Sequence, residues 1–325
     1  MIDEMAPRYV LFGLLLAGAL LLSVMVGAVR VPAPAVYRAL TAPDESNQTT
    51  IVREMRLPRA LNGALVGAAL AVAGAVMQAA TRNPLAAPSV AGVSAGASVV
   101  VIALTVFTAV GTFGLAVGAF AGAAAGGGLV FAMAAGRGAT PVRLALGGVA
   151  VSALLGALGS GISFLKEANM TLVIAWSTGG LDGRFWPQFR FLWPWVAVGL
   201  LGALLLARRL DVMRLGDEVA AGLGLNLGWA RAGALGITVV LAGASVAVAG
   251  PIGFVGLMVP HVARRIFGTE HRFLLPACAL LGALLLTTAD IAARLVMAPQ
   301  EVPVGILTAA LGGPFFLYLV RKEGV

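Results

Sequence analysis

One cysteine, Cys278, stands in the 325 residues, inside an apolar run. A disulfide framework and any site built from several thiolates are thereby excluded. Lysine occurs only at positions 166 and 322, and neither belongs to a G-x-x-x-x-G-K-[ST] phosphate loop. If ATP drives this protein, another chain must bind it. The two histidines, His261 and His271, lie among arginines without an acidic partner at metal-ligand spacing, so neither a metal site nor a catalytic constellation is expected. Charge itself is scarce. Only 11% of the residues are charged, against roughly 25% in a soluble domain. That is too little to wet a surface, and it excludes a soluble enzyme or a free nucleic-acid binder.

What fills the chain instead is apolar: 60% of residues are hydrophobic and the mean hydropathy is +0.97. A helix crosses a bilayer with about 20 mostly apolar residues. Ten stretches qualify, at roughly 9–29, 57–80, 90–110, 112–135, 142–165, 191–210, 230–249, 252–267, 273–297 and 305–320. The loops left between them are short, so residues 1–325 read as a single all-α transmembrane domain. The runs do not alternate in the ten-residue segments of a membrane β-barrel. Asp3 and Glu4 spoil the basic start of a signal peptide, so the first stretch is expected to be a retained helix.

The net charge of +8 comes almost entirely from arginine. In a membrane protein such an excess points to cytoplasmic loops and anionic lipid as partners. An even number of spans puts both termini on one side. Placing them in the cytoplasm leaves thirteen basic residues inside and nine outside, a modest bias. Among the outer nine are Arg56 and Arg59, in Arg56-Leu57-Pro58-Arg59 at the start of the second span. Pro58 suits a first helical position, which would set Arg59 at the positive end of the helix dipole and call for an anionic partner. Candidates are Glu54, Asp44, Glu45, a lipid phosphate or the acidic surface of a docking protein.

Four further features bear on function. Gly118, Gly122 and Gly126, like Gly63 and Gly67, have the small-xxx-small spacing that lets helix backbones touch. The Asn83–Pro88 and Gly250–Gly253 breaks are either kinks or irregular backbone beside a translocation path. Asp290, the one acid well inside a span, has Arg294 at i+4, which suits an intramembrane ion pair or a proton relay. Residues 211–228 are polar enough to leave the membrane. There Asp217 and Glu218 would open a short helix and the following glycines would end it; it would lie on the bilayer or insert into a cytoplasmic partner.

In these segments the sequence resembles the FecCD family of ABC-importer permeases, the membrane subunits of bacterial cobalamin, heme and ferric-siderophore importers. The resemblance is carried by Arg56–Arg59, Val66–Ala71, Gly74–Gln78, Asn83–Ala86, Gly92–Ala97, Gly250–Leu257 with Pro260-His261, Ala289–Arg294, Pro303–Thr308 and Leu311–Phe316. It implies a cobalamin-importer-like, type II permease of about ten transmembrane helices in the bacterial inner membrane. Such a subunit works as a homodimer with two ATP-binding subunits, which hold the ATP and Mg, and a periplasmic substrate-binding protein. By motif, Arg56, Arg59 and Arg294 would dock the binding protein. Arg214, Asp217, Glu218, Ala221, Gly222, Leu223 and Gly224 would couple to the ATPase. The cytoplasmic gate region would fall at Thr140, Pro141 and Val142, with only Thr140 carrying the family's gate hydroxyl. The cargo implied is an iron chelate, heme ahead of a ferric siderophore, with cobalamin as the alternative; the rival to the resemblance itself is a proton-coupled secondary transporter using Asp290.

Overall fold

The structure, a computed structural model, describes residues 2–27, 29–135, 140–164 and 170–323. Among these residues all the regular structure is helical. Ten helices account for the ten apolar stretches: α1 (Ile2–Met25), α4 (Leu57–Thr81), α5 (Val93–Phe107), α6 (Thr112–Ala135), α7 (Pro141–Ser163), α9 (Trp186–Met213), α11 (Leu227–Ala249), α12 (Val255–Phe267), α13 (His271–Leu295) and α14 (Val304–Glu323). Short helices α2 (Ala33–Thr41), α3 (Asn47–Thr50), α8 (Met170–Ser177) and α10 (Asp217–Gly222) lie between them.

α4 is the centre. Nearly all of it is buried, and α13, α11, α9 and α12 pack around it. Small residues make this possible, because without a hydrophobic drive between helices, backbone proximity supplies the packing energy. A Cβ on Gly67 would overlap the carbonyl of Gly282 on α13, and one on Gly74 would overlap that of Gly256 on α12. α5 and α6 meet in the same way, with Gly96 against Gly122 and Gly126 against Gly92. The glycine spacing of the sequence is therefore spent on packing inside the chain. On the outside, Leu11 and Leu14 of α1, Leu146 and Leu154 of α7, and Leu201 and Leu205 of α9 are exposed, as lipid-facing side chains are.

Among the described residues, seven helices are long and apolar enough by themselves to cross a membrane, and α5 and α14 are shorter apolar helices. α5 has 15 residues and α12 has 13; at 1.5 Å per residue α12 covers about 20 Å, short of the ~30 Å hydrocarbon layer. The non-helical stretch Gly250–Phe254 makes up the difference for α12. Gly250 and Ile252 within it are buried, as irregular backbone at that depth requires. Gly180 N donates to Ala249 O at 2.8 Å, and Gly305 N to Gly179 O at 3.1 Å. Gly179 and Gly250 sit at φ +68° and +70°, each packed so closely against backbone of the other strand of this crossing that a side chain would collide.

One expectation, that Pro58 opens its helix, needs correction. The helix does not start there. Asn47–Thr50 runs through a π-helical turn, Ile51–Arg56, directly into α4. Pro58 has no N–H and its ring crowds the preceding turn, and the wide π turn, in which Leu57 N donates to Val52 O, accommodates it. Arg59 is therefore interior to a continuous helix, and its need for a counter-ion comes from burial more than from a helix dipole.

Candidate functional site

Charged side chains gather at both ends of the bundle. At the first, Arg59 reaches from α4 to α13. Its Nη2 lies 2.9 Å from Asp290 Oδ1, and its Nε donates to both Asp290 oxygens at 3.2 Å. Its Nη1 donates to Glu301 Oε2 at 2.7 Å and stands 3.8 Å from Asp182. Arg294 Nη2 completes the cluster at 3.1 Å from Asp290 Oδ2. Asp290 thus faces two guanidiniums, one local and one 231 residues away in sequence. Asp290 and Glu301 take the place of the anions expected from the neighbourhood of Arg59. Asp44 is turned elsewhere, onto the hydroxyls of Ser46 (2.6 Å) and Thr49 (2.5 Å); those bonds pull its carboxyl down to about 2.

Arg56 and Arg294 converge on the C-terminus of α1. Arg56 Nη1 donates to Val24 O and Met25 O, both at 3.0 Å, and Nη2 donates to Val29 O. Arg294 Nη1 donates to Ser23 O at 2.9 Å and Val26 O at 3.0 Å, while its Nη2 reaches Ser23 Oγ at 2.6 Å. The last carbonyls of a helix lack partners within it and carry the negative end of its dipole, so two buried cations cap α1. The exposed fractions of Arg56 and Arg294 are 8% and 4%. Of the three arginines expected to dock a binding protein, none is free: Arg56 and Arg294 hold α1, and Arg59 holds α13 and the 298–303 loop.

Between these groups and the ends of α5 and α6 lies a cavity of about 680 Å³. Arg59, Arg184, Asp182 and Glu301 stand in its wall with Thr105, Thr112 and Trp176. A smaller cavity of about 230 Å³ adjoins it, lined by Arg56, Arg59, Arg184, Arg294, Asp182 and Glu301. Arg184 belongs to both. Its Nε is buried without a hydrogen-bond acceptor; burial lowers its pKa from the ordinary arginine value and the nearby Asp182 opposes that shift. Nothing in the sequence marked Arg184 out, because its significance lies in what it fails to meet.

The other end carries the 211–228 segment. α10 opens at Asp217 and Glu218, and Leu225 N closes it by donating to Ala220 O at 3.0 Å, with Gly224 at φ +81°. Asp217 Oδ1 accepts from Arg231 Nη2 at 2.6 Å and pairs with Arg82 Nη2 at 3.2 Å. The Arg231 hydrogen bond is the main reason its carboxyl lies below the usual range. Leu215, Val219, Leu223 and Trp229 project outward, and Glu218, Ala221, Gly222 and Gly224 are exposed beside them. Arg214 donates to Thr269 O at 2.7 Å. His271 Nδ1 is 2.6 Å from Asp211 Oδ1, an acidic partner 60 residues distant that only the fold supplies. Thr140 is the N-cap of α7, its hydroxyl accepting from Arg143 N at 3.4 Å, and Val142 is exposed. Gly138 and Ala139 of the same stretch lie outside the described residues. Among the described residues there is no cluster of three or more potential metal ligands.

Comparison with known proteins joins these ends into one architecture. The family model described as the FecCD transport family matches residues 14–322. The Fe(3+)-citrate import system permease protein YfmD of Bacillus subtilis is 45% identical over 279 residues, 86% of this chain and 84% of its own. The cobalamin import system permease protein BtuC of Halobacterium salinarum is 41% identical over 90% of this chain and 80% of its own. A solved metal-chelate type ABC transporter in an inward-facing conformation superposes with a TM-score of 0.86 at 29% identity, covering 97% of this chain and 99% of that one.

Proposed function

The chain belongs to the FecCD transport family, and on that premise we propose that it is the membrane-spanning permease subunit of an ATP-driven importer for an iron chelate. It is a multi-pass all-α membrane protein whose relatives are transport subunits. The observation that carries the reading is the match along nearly the whole chain to chelate permeases, in sequence and in the 0.86 superposition. The chain itself performs no covalent chemistry. ATP and Mg belong to two separate ATP-binding subunits, and a substrate-binding protein delivers the cargo.

In this reading the Arg59 end faces the periplasm, and the Asp217 end and both termini face the cytoplasm. The exposed apolar residues Leu215, Val219 and Leu223 around α10 seat in the ATPase, and two copies of the chain form the working unit. Closure of the ATPase moves α10, and the motion passes into α9 and α11, which carry it at either end. The binding protein docks at the Arg56, Arg59 and Arg294 end, and the gate lies at Thr140–Val142. Because the three arginines are engaged internally, docking must exchange their present acceptors for those of the partner. Heme comes first and a ferric siderophore second, and the Fe(3+)-citrate permease relative adds ferric citrate.

The test is uptake of labelled heme, ferric citrate and a ferric trihydroxamate into proteoliposomes holding this chain, its ATPase and its binding protein. ATP-dependent, binding-protein-dependent flux of one chelate is expected. Flux sustained by a proton gradient without ATP would overturn the reading.

A further inference from the structure

Of the four arginines that line the two cavities, three hydrogen-bond to acceptors of the chain. Arg59 is satisfied by Asp290 and Glu301, and Arg56 and Arg294 by the end of α1. Arg184 has a buried Nε with no acceptor and stands in the wall shared by the two cavities. The wall of the larger cavity holds two arginines and two carboxylates, but around the two cavities taken together the charges do not cancel. Arg56, Arg59, Arg184 and Arg294 face Asp182, Glu301 and Asp290, so one positive charge remains in excess. A buried donor without an acceptor costs about 1–3 kcal/mol, more when charged, and a guanidinium is shaped to take a carboxylate on two parallel N–H bonds.

The larger cavity, about 680 Å³, falls within the ~300–1,000 Å³ typical of small-molecule sites. Its wall is not uniformly charged: Val101, Leu115 and Trp176 supply apolar surface, and the charged part is Arg59, Arg184, Asp182 and Glu301. That combination fits a ligand with a bulky body and an anionic edge. The two sources of such an edge are the cargo and an acidic side chain of the docking partner. Arg184 favours the cargo, because it stands in the wall of a cavity that also carries Val101, Leu115 and Trp176, a mixed lining that suits a small molecule.

Resting on the importer reading above, we propose that Arg184 is a specificity-determining residue of the outer cavity, which binds a carboxylate group of the iron chelate and so selects carboxylate-bearing complexes over those that present none. Ferric citrate and heme, with its propionates, belong to the favoured class; a trihydroxamate complex does not.

The test uses the assembled transporter in nanodiscs, with equilibrium dialysis of iron-55 ferric citrate and, separately, an iron-55 trihydroxamate, followed by ATP-driven uptake of both. Wild type is expected to bind ferric citrate. R184Q should weaken that binding at least tenfold and raise KM for ferric citrate with little change in the maximal rate. R184K should retain an intermediate affinity. Equal affinity for ferric citrate in wild type and R184Q overturns the proposal, as does an equal loss for both chelates. Weakened binding-protein association with unchanged chelate binding assigns Arg184 to docking and overturns it too. Should wild type move no chelate under ATP, the importer reading fails; Arg184-dependent binding of ferric citrate in the dialysis would still uphold the site, and its absence would sink both.

Discussion

Arg59 and Asp290, 231 positions apart, form the contact that ties α4 to α13 at the arginine-rich end, at 2.9 Å between Nη2 and Oδ1. The carboxylate is 3% exposed and is shared with Arg294. Removing one partner of a buried pair leaves an uncompensated charge, at a cost of about 3–5 kcal/mol. D290N is therefore expected to lower the thermal stability of the purified chain markedly, followed by loss of the monodisperse peak on heating. R59M/D290N, which removes both charges, should recover part of it. In transport, D290N should reduce flux in proportion to the folded protein. Complete loss of flux with stability intact would revive a proton relay.

Arg56 and Arg294 act on α1. R56A or R294A uncovers the last carbonyls of that helix, so residues around 20–30 should exchange amide hydrogens faster while α11 exchanges as before. Unchanged exchange at α1 in both variants would show that the caps contribute nothing. The charge reversal R56E should do more damage than R56A, because a carboxylate repels the same carbonyls.

The α4 crossings are intolerant of a single methyl group. G74A places a Cβ against the Gly256 carbonyl. Overpacking of this kind costs roughly 1–3 kcal/mol, occasionally more. Gly13 and Gly18 of α1 have open space around them, so G13A and G18A should leave stability unchanged or slightly raised. Comparing the three melting temperatures checks the pair of statements at once.

Asp217 gives a pH dependence. Its carboxyl is held below the ordinary value, chiefly by the hydrogen bond from Arg231. A depressed folded-state pKa means that the stabilisation is fully present above the unfolded value of about 3.9 and fades as pH falls through and below it. Wild type should exceed D217N in stability by about 1 kcal/mol or less at pH 6, since the carboxylate is partly solvated. The gap should close below pH 4. A gap that widens on acidification would contradict the assignment.

Leu223 is exposed in the isolated chain. Surface substitutions usually stay within about 0.5 kcal/mol, so L223S should fold as wild type does. Co-purification with the ATP-binding subunit and cargo-stimulated ATP hydrolysis should both fall. Full coupling in L223S would remove α10 from the interface.

What the sequence determined by itself was everything that depends on composition and on residues close together along the chain. Ten apolar stretches, the short helix opened by Asp217 and Glu218, the Asp290–Arg294 spacing and the family motifs are all local patterns, and a bilayer makes such patterns decisive by forcing buried backbone into helices. Tertiary structure alone decided the pairings. The partners of Arg59, the capping of α1 by Arg56 and Arg294, and the meeting of His271 with Asp211 each join elements far apart in sequence. Their partners are set by how the Gly67–Gly282 and Gly74–Gly256 contacts let helices approach. The same holds for Pro58, which sits within a helix because the π turn before it absorbs the missing N–H, and for Arg184. A charge whose meaning is an absent partner has no local pattern, and only packed neighbours can reveal it.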